Sequence, residues 1–171
     1  MTVTYQLLLS VPEYLRRQWS EATVRESHLV SETPESLESN VAAAVIAFAG
    51  DRAVGFAALL HARTDDHQPV IHDGRAVMEL GGAYTQVAWR GHGIWAELVR
   101  LRLAYAKEQD WCVVCISGNH IVQSRLRDFG GRPMIGRDTA QLRRHLCLGC
   151  EVAAACEFCP MSPGTAWIMD T

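Results

Sequence analysis

The segment Tyr84-Thr85-Gln86-Val87-Ala88-Trp89-Arg90-Gly91-His92-Gly93-Ile94 constrains the fold more than any other. Before it, Ala76 to Thr85 reads as a long strand with a break at Gly81-Gly82. After it, Gly93 to Glu108 reads as a strong helix, with Leu98, Leu101, Ala104 and Tyr105 at helical spacing on one face. A strand that feeds a long helix through a tight turn implies a layered α/β domain. The turn also has a chemistry. Glycines let backbone amides approach a ligand closely. A helix start supplies unpaired N–H groups and the positive end of a dipole, which suit a pyrophosphate. Arg90 adds a cation there. A lone G-x-G is weak evidence, because most such turns are only turns, so the surrounding chain has to carry the reading.

That chain is compatible with one compact domain. Its 171 residues are the length of a single domain, at roughly 100–200 residues each. Hydrophobic residues make up 49%, which argues against disorder. The net charge of −3 excludes a protein coated in positive charge but not a local basic patch. No apolar run approaches the ~20 residues of a membrane span. The start shows no basic n-region followed by an apolar h-region, so no signal peptide is expected and a cytoplasmic location is.

Tyr5 to Val11 reads as a first strand, and Pro12 suits the first turn of a helix running to about Glu26. Thr33-Pro34-Glu35-Ser36 is a capping signature before a short helix. Two apolar runs, Val41–Ala49 and Ala53–Leu60, flank Gly50-Asp51 and predict a hairpin. Arg63 to Asp73 is polar and reads as a loop. Cys112 to Ile116 reads as a buried strand, Asn119 to Phe129 as a helix ended by Gly130-Gly131, Met134-Ile135 as a short strand and Thr165–Met169 as the last one.

In this setting the turn resembles the cofactor motif of the GCN5-related N-acetyltransferase (GNAT) superfamily. That motif leads from a strand through Arg/Gln-x-x-Gly-x-Gly/Ala into a helix. Here it is matched by Arg90-Gly91-His92-Gly93-Ile94-Trp95. The element order agrees, and the resemblance spans about residues 3 to 137, with the last strand at 165–169. It implies a mixed, largely antiparallel central sheet flanked by helices, and transfer of an acetyl group from acetyl-CoA to a primary amine. Backbone groups around Thr85, Gln86 and Val87 would pair with the pantetheine arm. Amides of Arg90, Gly91, His92, Gly93, Ile94 and Trp95 would hold the pyrophosphate, and Asn119 would lie near the cofactor. Two departures stand out. The last motif position is Trp95 rather than Gly or Ala. No tyrosine occurs near Arg125-Leu126, where the family often has its acid, which leaves Ser124 or a water for that proton.

An amine must lose a proton to attack a thioester, and a base assists. Glu79, six residues before Thr85, is the candidate; the alternative is an ordinary strand-surface glutamate. His120, His92 and Tyr84 are weaker candidates.

Six cysteines remain to be placed. Cys112 and Cys115 lie on a predicted strand, where residues i and i+3 face opposite sides, so they are expected to pack. Cys147, Cys150, Cys156 and Cys159 form two CxxC hooks, the donor set of a closed structural zinc site. An iron–sulfur cluster is the second choice and disulfides the third; His145 could replace one ligand. The hooks fall in a cysteine-rich segment, residues 138–163, read as an insertion before the last strand of one acyltransferase-like domain spanning 1–171. The run from Arg125 to Arg144 holds six arginines against Asp128 and Asp138, a patch able to hold nucleic acid or a cofactor phosphate. Neither acceptor identity nor oligomeric state follows from the sequence.

Overall fold

The computed structural model describes residues 2–25, 33–62, 68–117, 119–134, 166–169 and 171. Its described residues form two compact units, one within Met1–Leu60 and Leu80–Arg102, the other within His61–Glu79 and Leu103–Thr171.

In the first unit the strands β1 (Val3–Leu8), β2 (Val41–Ala49) and β3 (Arg52–His61) pair antiparallel in sequence order, and β3 is followed by the second half of β5 (Arg75–Thr85). The β2–β3 hairpin closes through Gly50-Asp51, as its composition predicts, with Gly50 at φ +61°. β2 and β3 are apolar almost throughout because both faces are covered. One face of β2 and β3 packs Ala44, Ile46, Phe56 and Ala58 against Leu15 and Trp19 of α1 (Glu13–Val24) and Leu37 of α2 (Pro34–Asn40). The other packs Val45, Ala47, Val54 and Ala57 against Ile94 and Leu98 of α3 (Ile94–Glu108). Gly55 permits that approach: a Cβ there would lie 3.0 Å from Ile94 Cγ2. Thr33 caps α2, its hydroxyl accepting from the Ser36 amide at 3.1 Å.

The second unit is built on the first half of β5. It pairs in parallel with β6 (Cys112–Ile116), which pairs antiparallel with β8 (Ala166–Met169), which in turn pairs antiparallel with β7 (Gly131–Pro133). α4 (His120–Asp128) ends at Phe129 with Gly130 at φ +79°. Cys112 and Cys115 are buried, as expected of packing residues.

Several boundaries differ from the sequence reading. The first strand is Val3–Leu8, not Tyr5–Val11, because Val11 turns in to pack beneath α1. The short strand is Gly131–Pro133; Met134 follows it, its amide donating to the Ala166 carbonyl at 2.9 Å, and Ile135 lies outside the described residues. The loop predicted at 63–73 contains a strand, β4 (Ile71–His72), paired with Arg75-Ala76 across Asp73-Gly74. Both turn residues have positive φ, +48° and +79°, as a tight two-residue hairpin demands. On α3, Ala104 is exposed, and the buried stripe is Ile94, Leu98, Val99, Arg102 and Ala106.

Candidate functional site

β5 leaves its strand geometry at Thr85 and enters a single 3-10 turn, Val87–Trp89, before the glycine turn. Gln86 anchors this exit. Its amide donates to the Val54 carbonyl at 2.9 Å and its side-chain amide donates to the Ala53 carbonyl at 2.8 Å. Backbone groups of successive residues in an extended chain point to opposite sides. With the Gln86 amide committed to β3, the backbone of Thr85, still extended, is directed away from it. Val87 already belongs to the 3-10 turn, its carbonyl accepting from the Arg90 amide at 3.2 Å while its own amide meets no backbone acceptor among the described residues. Val87 is exposed. The Thr85 hydroxyl is buried and meets no protein partner among the described residues, while the Thr85 carbonyl accepts from Arg90 Nε at 3.1 Å.

Gly91 and Gly93 both sit in the left-handed region, at φ +83° and +75°. Alternation of this kind turns successive amides into a concave anion nest. Gly91, His92 and Gly93 are exposed, and among the described residues their amides meet no protein acceptor. A Cβ at either glycine would meet nothing within 4 Å, so the space in front of the turn is open. His92 is held by its Nδ1, which lies 3.2 Å from the Trp89 carbonyl and 3.1 Å from the Arg90 carbonyl. Both neighbours are acceptors, so Nδ1 carries the proton and Nε2 is left for solvent or ligand. Ile94 is buried and starts α3 in the core, and Trp95 is half-buried, so its ring does not stand free in the turn.

One carboxylate lies in the first turn of α3. Glu97 accepts from Arg100 Nε at 2.9 Å, and this bond holds its carboxyl below the usual range. The pair compensates a negative charge that would oppose an anion at the helix start. Burial, followed by the charge of Glu97, raises Tyr5 above its ordinary value.

In the second unit, Glu79 is half-buried and forms the last register pair of the β5–β6 ladder, Glu79↔Val114; Cys115 and Ile116 continue β6 as partners of β8. Asn119 caps α4. Its Oδ1 accepts from the Ile121 amide at 2.9 Å, which commits the oxygen and leaves the side-chain NH2. Ser124 is exposed, with its hydroxyl donating to the Ile121 carbonyl at 2.9 Å. His120 is exposed at the first position of α4. Tyr84 packs on Phe56, ring centroids 6.4 Å apart, and Phe56 stacks on Trp19.

Cys147, Cys150, Cys156 and Cys159 lie outside the described residues, as do His145, Arg137, Arg143 and Arg144. Among the described residues no group of three or more His, Cys, Asp or Glu is placed to hold a metal ion, and no helix is long and apolar enough to cross a membrane. Of the arginine run, Arg127 stacks over Trp167 at 5.5 Å and Arg125 approaches Asp128 at 3.5 Å.

The residue that periodicity overlooked is Arg102. It is 1% exposed and follows Leu98 by four positions, on the buried stripe of α3. That spacing was the available signal.

In sequence comparison neither a family model nor a curated protein matches the chain. Solved structures do match its fold. Rv2747 from Mycobacterium tuberculosis, solved with CoA, is 17% identical with a TM-score of 0.66, over 97% of this chain and 99% of that one. Naa50 of Arabidopsis thaliana, solved with a CoA-containing bisubstrate analogue, is 15% identical with a TM-score of 0.60, over 79% and 86%. A GNAT family acetyltransferase from Brucella melitensis, solved with acetyl-CoA, is 19% identical with a TM-score of 0.56, over 75% and 83%. At these identities the likeness is one of architecture alone: a mixed α/β, GNAT-like fold with a largely antiparallel sheet flanked by helices.

Proposed function

We propose that this chain is an acyl-CoA-dependent N-acyltransferase that moves an acetyl group from acetyl-CoA to a primary amine. One observation carries the reading: a turn with two left-handed glycines, whose amides meet no acceptor among the described residues, opens the 15-residue helix α3. The orphaned Thr85 hydroxyl fits the same ligand, since an arm laid along the end of β5 would bring it polar partners.

Bound there, acetyl-CoA supplies an activated thioester. The protein's part is to bind, orient and move a proton. The amides of Gly91, His92, Gly93, Ile94 and Trp95, with the Arg90 side chain, take the pyrophosphate, the Arg90 amide being spent on the Val87 carbonyl, and backbone groups of Thr85 and Val87 take the pantetheine arm. The side-chain NH2 of Asn119 remains available to a cofactor atom. Glu79 accepts the proton that the amine loses as its nitrogen bonds to the thioester carbon. The carbon–sulfur bond breaks, and the thiolate takes a proton from water, since Ser124 spends its own on Ile121. The reading treats residues 1–171 as one acyltransferase-like domain working in the cytoplasm.

We further propose that Cys147, Cys150, Cys156 and Cys159 hold one zinc ion. Four thiolates in two CxxC hooks fill a tetrahedral site and leave no open position, so the role is structural.

The test is incubation of the full chain with acetyl-CoA and panels of small amines, peptides and tRNA, reading thiol release and acceptor mass together. Equal release and acetylation are expected. Binding of acetyl-CoA with no thiol release on any acceptor would make the chain an acyl-CoA-binding module instead.

A further inference from the structure

The side chain of Arg102 leaves α3 on its buried face and ends among backbone carbonyls. Its Nε donates to Leu98 of its own helix at 3.0 Å. Its Nη1 donates to the Ala58 carbonyl of β3 at 2.7 Å and to the Gly81 carbonyl of β5 at 3.1 Å. Burying a guanidinium carries a large desolvation cost, offset only where its donors are satisfied. Here one nitrogen ties together two strands that are neighbours in the first unit.

β5 is restrained at the same point from two other directions. A Cβ at Gly81 would come within 2.6 Å of Leu60 Cδ1. One at Gly82 would come within 2.9 Å of Trp19 Cζ2, and Gly82 holds φ +58°. A left-handed glycine inside a strand re-aims the residues beyond it, and the residues beyond it are Tyr84, Thr85 and Gln86. Left to itself, such a kink has freedom; the Arg102 fork removes it.

We propose that Arg102 is a positioning residue: by tying the Gly81 carbonyl to the Ala58 carbonyl it fixes the course on which β5 delivers Thr85 and Val87 to the pantetheine arm. The proposal rests on the acetyl-CoA reading above. It separates the two halves of the ligand. The pantetheine arm depends on the strand, and so on Arg102. The nucleotide half depends on the turn at residues 90–95.

The test is calorimetric titration of the full chain, wild type and Arg102→Lys, with acetyl-CoA and with adenosine 3′,5′-bisphosphate, alongside a thermal melt. A lysine offers one nitrogen where arginine offers a rigid fork, so it cannot reproduce all three bonds. The variant is expected to lose acetyl-CoA affinity by roughly tenfold to a hundredfold, the scale of a misplaced contact surface, while keeping its affinity for the bisphosphate. Equal losses for both ligands, or a lowered melting temperature with unchanged affinities, would overturn the proposal and leave Arg102 a stabilising residue. Wild type that binds neither ligand would instead bring down the acetyl-CoA reading itself. If Arg102→Lys does not fold, Arg102→Gln carries the same comparison, and failure of both to fold also overturns the proposal.

Discussion

The side-chain amide of Gln86 donates to the Ala53 carbonyl at 2.8 Å, so the last residue before the 3-10 turn is fastened to the start of β3. Gln86→Ala removes that bond and leaves the carbonyl to Gln18, whose amide lies 3.4 Å away. The expected loss of stability is about 1 kcal/mol, the net worth of one such bond. Chemical denaturation measures it. A loss in acetyl-CoA affinity is expected alongside, because the strand end is freed; unchanged affinity would mean that the exit of β5 needs no anchor.

Gly91→Val and Gly93→Val separate strain from occlusion. The Cβ of neither new side chain would meet an atom within 4 Å beyond its chain neighbours. Stability should therefore fall only by the cost of a left-handed β-branched residue, about 1–2 kcal/mol. Acetyl-CoA binding should weaken by roughly tenfold or more, since a charge-assisted amide contact is worth about 1.5–3 kcal/mol. Native affinity in both variants would remove the turn from the site.

Much of this was legible beforehand, for physical reasons. The hairpin strands beside Gly50-Asp51 and the buried strand at Cys112 are unbroken apolar runs, and the helix after Gly93 carries a long helical period. Short elements do not. β4 has two residues, and its only mark is Asp73-Gly74, a turn pair that a polar stretch conceals. Arg102 was hidden because a charge on an apolar stripe reads as the edge of the stripe; only the carbonyls of Ala58 and Gly81 show why it is buried. The two bonds from Gln86 to β3 were not legible, because they depend on which residues of the partner strand lie opposite it.

Glu79→Gln keeps size and removes the base. Turnover is expected to fall by roughly 10²–10⁴-fold, with acetyl-CoA affinity kept. Steady-state kinetics at saturating amine decide it, and near-normal turnover would make Glu79 a strand residue with no catalytic part.

The Glu97–Arg100 pair predicts a pH signature. The bond from Arg100 holds the Glu97 carboxyl below its ordinary 4.5. A depressed carboxylate contributes stability above its unfolded pKa and loses it as pH falls through the lower folded value. Melting temperatures of wild type and Arg100→Gln should therefore differ by a constant amount at neutral pH and converge in acid below 4.5. Added salt should also narrow the gap, as the pair is exposed. A gap that widens in acid would contradict the assignment.

Purified without chelator, the protein should carry about one zinc per chain, the stoichiometry of a closed four-thiolate site. Elemental analysis gives the number, and Cys147→Ser or Cys159→Ser should lower it. Metal-free protein whose four sulfurs resist alkylation until reduced would point to disulfides.

Hydrogen exchange with and without acetyl-CoA tests the central claim most directly, because it reads the backbone amides that the account places around the ligand. Protection on adding acetyl-CoA is expected at Val87 and across Gly91, His92, Gly93, Ile94 and Trp95. Gln86, already bonded to Val54, should change little. Exchange at residues 85–95 unaltered by saturating acetyl-CoA would contradict the account.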